Sequence, residues 1–310
     1  LCKNGCGTER CNHPYQARMP LEATGVNVIE SAKKYGIELH FPPKTVLKRL
    51  GLLLWEKKRK GWRFFMTYII LAAGAGTRLN PITLRHPKTL FSLDQSETIL
   101  SRMVGLLHHL DKAARIVVVT GFQRQRVEAA ISGNVSWIHN PFFEVTNSIA
   151  SLWFARTYLE GEVTILNGDI VMSRELLAEV VTRPTDRPYV LMDSSVLKNG
   201  DYNVQADNGR VVVMSKELST YSGEYAGVTK LDGCSAKRLC EKLCEMVDSG
   251  LYNHWYEDAL VQMIFENNFE LLAMDIQQYQ WTEVDNVDDL TYAKRIHMKE
   301  EYVGSEKSIS

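Results

Sequence analysis

Two glycines one residue apart, Gly74 and Gly76, follow the apolar run Tyr68–Leu71, with Arg78 two residues on and Lys88 ten further. Glycine lets backbone N–H groups approach an anion closely. Arginine grips two phosphate oxygens in a fork, while lysine acts as a point charge. Together these residues suit a triphosphate. Two familiar loops are excluded. A dinucleotide turn needs a third glycine at position 79, which is Leu79, and an ATPase loop needs Lys and Ser/Thr directly after its last glycine, where Thr77 and Arg78 stand.

Attack on a phosphate calls for a cation to offset charge, and Mg²⁺ takes a few carboxylates together with phosphate oxygens and water. "TILNGDI" ends a buried strand at Asp169, where open α/β sheets bind ligands. "WTEVDNVDDL" offers Glu283 and Asp285 late in the chain. Each has a plainer reading: Asp169 as a strand-end cap, Asp285 as the N-cap of a last helix starting at Val287. No general base is required, because an attacking phosphate oxygen is already anionic near neutral pH.

Two further stretches bear on the partners of that chemistry. In "NPFFEVTNSIASLWFAR", Asn147 and Ser151 are candidates to touch a base or ribose, or else Thr146 or Asn147 caps a helix with Leu152 and Phe154 in the core. In "LYNHWYEDAL", Trp255 and Tyr256 stand beside Glu257 and Asp258, the residue types that hold a quaternary ammonium. The plainer alternative is an amphipathic helix start with acids in its first turn. Lys216 reads equally as a contact to an acceptor phosphate and as a solvated lysine at a strand end.

The elements that position these residues follow from hydrophobic rhythm. From Thr67 onward short apolar strands ("TYIILAA", "RIVVVTG", "VSWIHN", "EVTILNGDI", "RPYVLMDS") alternate with helices ("TILSRMVGLLHHL", "QRQRVEAAIS", "RELLAEVVT"), which predicts a mostly parallel sheet covered on both faces. "YNVQADNGRVVVMSK" holds the hairpin signal Asp-Asn-Gly, so an antiparallel portion follows. Helices are expected over 236–247, 256–267 and 287–298, with a strand "ELLAMDI" before the last and a loose polar tail over 299–310.

Residues 1–65 read as a separate appendage with one helix at 21–40 and a basic linker at 55–63. They hold 13 lysines and arginines against 5 acids, a surplus of eight, so the remainder carries nine negative charges to give the total of −1. The linker reads as solvated rather than as a nucleic-acid patch. No apolar run approaches the roughly 18 residues of a membrane span, and reduced cysteines in a cytoplasmic setting are expected. The chain opens on Leu1, which suggests a fragment or processed product, with Met66 a candidate translation start. Cys2, Cys6 and Cys11 are spaced unlike a standard zinc or ferredoxin site, and Cys240 and Cys244 read as buried structural thiols.

"LAAGAGTRLNPITLRHPKTL" resembles, without a gap from Leu71 to Lys88, the signature of the nucleotidyltransferases that activate sugar phosphates and phospho-alcohols. The stretches around Asn147 and Trp255 are similar in kind to bacterial choline-phosphate cytidylyltransferases. The resemblance implies a three-layer α/β/α, Rossmann-like fold of the nucleotide-diphospho-sugar transferase type over residues 66–298, with a mixed, mostly parallel sheet. It implies that Leu71, Ala72, Ala73, Gly74, Gly76, Thr77 and Arg78, with Lys88, Asn147 and Ser151, bind the nucleotide. Asp169 and Asp285 would hold Mg²⁺, and Asp169, Lys216, Trp255, Tyr256, Glu257 and Glu283 would face the acceptor. The implied reaction is CMP transfer from CTP to a phospho-alcohol such as phosphocholine, releasing pyrophosphate and yielding a head group for cell-surface decoration. A homodimer is compatible with this, and no nucleic-acid partner is expected. Phosphoethanolamine, an aminophosphonate or inositol phosphate are neighbouring acceptors.

Two rivals stand beside that reading. One is a sugar-1-phosphate nucleotidyltransferase using UTP or dTTP. The other is a metal- or redox-sensing binding protein acting through the N-terminal cysteines, because residues 1–65 resemble the end of a family of small predicted metal-binding proteins.

Overall fold

The computed structural model describes residues 66–79, 81–196 and 202–307, all within the second of two units into which the chain divides, Phe64–Ser310. The helix expected at 21–40, the basic run and Cys2, Cys6 and Cys11 lie outside the described residues.

Val117, Val118 and Val119 are all fully buried, although consecutive side chains on a strand point to opposite faces. Such a strand must be covered on both sides, and the sheet is built accordingly. Strand β1 (Thr67–Ala72) runs parallel between β2 (Arg115–Thr120) and β4 (Val163–Asn167), with β3 (Val135–His139) outside β2. Beyond β4 the sheet becomes mixed through β6 (Tyr189–Asp193), β7 (Asn203–Asp207), β8 (Arg210–Ser215), β9 (Gly223–Leu231) and β10 (Leu272–Asp275), in the order β3-β2-β1-β4-β9-β6-β10-β8-β7. Strand β9 is antiparallel to both β4 and β6, and β7 also returns to pair with β9. The Asp-Asn-Gly signal makes the β7–β8 hairpin, with Asn208 and Gly209 both at positive φ, as its turn demands.

The helices are α1 (Ile99–Leu110), α2 (Arg124–Ala129), α3 (Ser148–Phe154), α4 (Arg174–Leu176), α5 (Gly233–Asp248), α6 (Tyr256–Asn267) and α7 (Val287–Lys307). Alternation along β1 divides the core. Ile69 joins residues of α3, α5 and α6 on one face, while Tyr68 and Ile70 join Leu100, Met103 and Leu107 of α1 on the other. This is the three-layer, mostly parallel arrangement expected.

Four local expectations are corrected. "EVTILNGDI" is two strands, not one: at Gly168 the chain leaves the sheet, and a short β5 (Ile170–Met172) pairs instead with β11 (Trp281–Glu283) in a two-stranded ribbon. Gly168 is needed there, because a Cβ would stand 2.8 Å from the Leu71 carbonyl oxygen. The stretch after α4 continues as a π-turn, Leu177–Val181. Helix α7 runs through the expected loose tail to Lys307. Cys240 and Cys244 are half-buried free thiols, not fully buried ones.

Candidate active site

The apolar β1 delivers the chain to a pocket at the carboxyl end of the parallel strands, lined by Leu71, Ala72, Ala73, Gly74, Gly76, Arg78 and Lys88. The two glycines differ in kind. Gly76 has φ +65 and a Cβ there would lie 3.2 Å from Lys88 Cβ and from Thr83 Cγ2, so it is required by the fold itself. Its carbonyl accepts from Thr83 Oγ1 at 2.8 Å and from the Leu79 N–H at 3.1 Å, which closes the turn Thr77–Leu79. Around Gly74 a Cβ would meet nothing within 4 Å, so the space above it belongs to whatever fills the pocket.

Lys88 sits in a buried single turn, Lys88–Leu90, and its ammonium lies 2.6 Å from Asp169 Oδ2 and 2.8 Å from Asp285 Oδ1. Burial alone lowers a lysine pKa, but the two carboxylates outweigh it and hold Lys88 above its ordinary range. Arg78 reaches the same Asp285 oxygen at 3.0 Å. The β5–β11 ribbon brings the late acids into place: Glu283 is in register with Ile170, and the Val284 N–H donates to the Asp169 carbonyl. Asp169, Glu283 and Asp285 each present an oxygen within 4.8 Å of the others. Three convergent carboxylates next to the glycine turn fit a hard divalent cation, which prefers oxygen ligands.

The alternative in which Asp285 caps the last helix is overturned. Asn286 does that work, its Oδ1 accepting from the N–H groups of Asp288 and Asp289, so the Asp285 carboxylate points to Lys88 and Arg78 instead. Asp169 stands in the turn between β4 and β5, with its carboxylate on Lys88.

Asn147 and Ser151 both line the pocket. Asn147 is also the N-cap of α3, accepting from the Ser148 N–H, and buried Ser151 accepts from Asn140 Nδ2 at 3.1 Å. The expected aromatic–acid cluster divides. Trp255 lines the pocket, with Lys216 Nζ 4.2 Å from its ring centre. Tyr256 does not reach the pocket: it is fully buried, its hydroxyl bonded to Tyr225 and Thr229, because it begins α6 on the core side. Glu257 is buried too, outside the pocket lining, and its Oε2 has no partner among the described residues. Burial pushes its carboxyl up to about 8. Thr77 opens the turn after Gly76.

Sequence reasoning missed Thr89, Phe143, Thr146, Ser148 and Asn167, which complete the lining. Asn167 was visible two residues before Asp169. Phe143 was not, since its approach depends on Gly121, where a Cβ would be 2.7 Å from Phe143 Cβ.

The fold is of the nucleotide-diphospho-sugar transferase type. Residues 68–201 match the MobA-like NTP transferase domain, and residues 1–55 match a predicted metal-binding protein family (DUF2284). The chain is 25% identical over 239 residues to the bifunctional IPC transferase and DIPP synthase of Aquifex aeolicus, covering 75% of this chain and 52% of that protein, so it spans about half the length of that relative. It is 28% identical over 232 residues to the 2-aminoethylphosphonate cytidylyltransferase of Lancefieldella rimae, covering 72% of this chain and 89% of that protein. The solved structure of CTP:phosphocholine cytidylyltransferase from Streptococcus pneumoniae has the same fold, with a TM-score of 0.59 at 17% identity, covering 75% of this chain and 99% of that one. Among the described residues no helix is long and apolar enough to cross a membrane.

Proposed function

We propose that the chain transfers a cytidylyl group from CTP to a small phosphorylated alcohol of the phosphocholine type or to an aminoalkyl phosphonate, with release of pyrophosphate. The observation that carries this reading is the Lys88 ammonium, held by Asp169 and Asp285 beside the glycine turn. An acceptor phosphate or phosphonate oxygen attacks the α-phosphorus, a new P–O bond forms, and the bond to the pyrophosphate oxygen breaks. The Gly74–Gly76 backbone and Arg78 hold the triphosphate, and Lys88 offsets the charge that grows on it. Asn147 and Ser151 take the nucleoside side. Asp169, Glu283 and Asp285 would hold a Mg²⁺ ion, which when bound supplies Lewis-acid neutralisation of the phosphates. Positioning and charge neutralisation suffice, so no base is assigned. Such a reaction belongs in the cytoplasm, where CTP is available.

One observation favours a second acceptor. A quaternary ammonium needs open aromatic faces. Here Lys216 stands over Trp255 and Tyr256 lies in the core. An aminoalkyl phosphonate, the substrate type named for the L. rimae relative, asks for fewer aromatic faces and can use Lys216 at its phosphonate.

The test is pyrophosphate release by the full chain with Mg²⁺, crossing CTP, UTP and dTTP against phosphocholine, phosphoethanolamine, 2-aminoethylphosphonate, inositol-1-phosphate and glucose-1-phosphate. Turnover confined to CTP with an amino-alcohol phosphate or phosphonate supports the proposal. Turnover confined to UTP or dTTP with glucose-1-phosphate replaces it with the sugar reading.

A further inference from the structure

The wall that carries Trp255 is not held by its own helix alone. Three hydrogen bonds stitch the segment Tyr252–Tyr256 to the start of α3. The Asn147 N–H donates to the Tyr252 carbonyl at 3.1 Å, the Ile149 N–H donates to the His254 carbonyl at 3.2 Å, and the Tyr256 N–H donates to Ser148 Oγ at 2.8 Å. Asn147, Ser148, Ser151 and Trp255 all line one pocket. The nucleoside side and the acceptor side are therefore joined directly, across 108 positions of sequence between Ser148 and Tyr256.

Ser148 stands at the centre of this join. A helix leaves its first N–H groups without an intrahelical acceptor. The Tyr256 N–H is the first of α6, and Ser148 supplies its acceptor from another element. A serine hydroxyl can accept and donate together. Among the described residues the Ser148 O–H has no acceptor, which leaves its proton for a ligand in the pocket that Ser148 lines. A hydroxyl that donates becomes a better acceptor, because neighbouring hydrogen bonds polarise one another. A ligand that takes the Ser148 proton thus tightens the bond to Tyr256 and fixes the segment that presents Trp255.

We infer that Ser148 is a positioning residue that couples nucleotide binding to the order of the Trp255 wall. This rests on the nucleotidyl-transfer reading above.

The experiment is amide hydrogen exchange of the full chain with and without CTP and Mg²⁺, following peptides over 71–79 and 250–258. In the native chain CTP slows exchange in both. In Ser148→Ala, CTP still protects 71–79, but its protection of 250–258 falls about fivefold or more, the scale of an ordinary coupling between sites. Ser148→Thr, which keeps the hydroxyl, restores it. Because each variant is compared with and without nucleotide, a general loosening of the fold does not imitate this result. Equal protection of 250–258 in Ser148→Ala and the native chain overturns the inference, since the nucleotide would then order Trp255 directly. Protection of 71–79 without any at 250–258 in the native chain also overturns it. Failure of CTP, UTP and dTTP alike to protect 71–79 sinks the nucleotidyl-transfer reading itself.

Discussion

Lys88 and Asp285 are 197 positions apart in the chain and 2.8 Å apart in space. The same ammonium is 2.6 Å from Asp169, so one buried cation holds together two acids that lie more than a hundred residues apart in the chain. Lys88→Met removes that cation. Transfer is expected to fall by about a hundred- to a thousandfold, the range for losing one charge-stabilising group. Stability is expected to fall by about 1–3 kcal/mol as two partly buried carboxylates lose their partner. Mg²⁺ should then raise the melting temperature of Lys88→Met more than that of the native chain, because Asp169 and Asp285 lose the ammonium that competes with it. An equal Mg²⁺ effect on both proteins in a thermal melt would argue against a shared cation site.

The three carboxylates should separate by role. Asp169→Asn and Asp285→Asn each remove a negative candidate ligand and a Lys88 partner, and Glu283→Gln removes the third candidate ligand. Titration of the transfer rate with Mg²⁺ should show the half-saturating concentration raised by about ten- to a hundredfold in Glu283→Gln, with the two aspartate variants inactive at any concentration. A chelator should abolish native activity, and added Mg²⁺ should restore it. Native activity that survives chelation removes the metal from the scheme.

The two glycines of the turn should respond oppositely to alanine. Gly76→Ala forces a Cβ into a left-handed residue against Lys88 and Thr83, and about 1–2 kcal/mol of stability should go with it. Gly74→Ala meets no protein atom, so its melt should stay within about 0.5 kcal/mol of native. Its nucleotide affinity should nevertheless fall, because the space is the ligand's. Calorimetric titration with CTP beside a denaturant melt distinguishes the pair.

Glu257 makes a prediction about pH. Burial pushes its carboxyl from the ordinary value near 4.5 up to about 8, so between those values the folded chain holds a proton that the unfolded chain has lost. Folding stability from this group is therefore full below about 4.5 and is lost as pH rises to about 8. Glu257→Gln, which keeps the shape and cannot ionise, should flatten that slope. Urea melts from pH 5 to 9 that show parallel slopes for both proteins would remove Glu257 as its source.

Most of the fold was legible because its signals are local. Fully buried apolar runs marked the parallel strands, and Asp-Asn-Gly marked the β7–β8 hairpin through the φ its turn needs. The break at Gly168 was not legible. It arises from the Leu71 carbonyl on a strand nearly a hundred residues earlier, and no local pattern records that contact. The fate of Tyr256 was hidden for a similar reason. Trp255 and Tyr256 look alike as neighbours in sequence, yet one turn of backbone at a helix start sends the first to the pocket and the second into the core beside Tyr225.

The sequence by itself determined the chemistry on offer: a glycine turn with Arg78 and Lys88 for phosphate, and Asp169, Glu283 and Asp285 for a cation. These are properties of residue type and short-range spacing, and they hold in any conformation that keeps the turn. Only the tertiary structure decided which of the candidates meet. The β5–β11 ribbon brings residues 169 and 283–285 to one point, Asn286 takes over the helix cap and so releases Asp285, and Ser148 ties the two sides of the pocket together. The Asn286 cap is local, but the ribbon and the Ser148 tie are contacts between residues far apart in the chain, set by strand register and by which face a side chain occupies, and neither is written in local pattern.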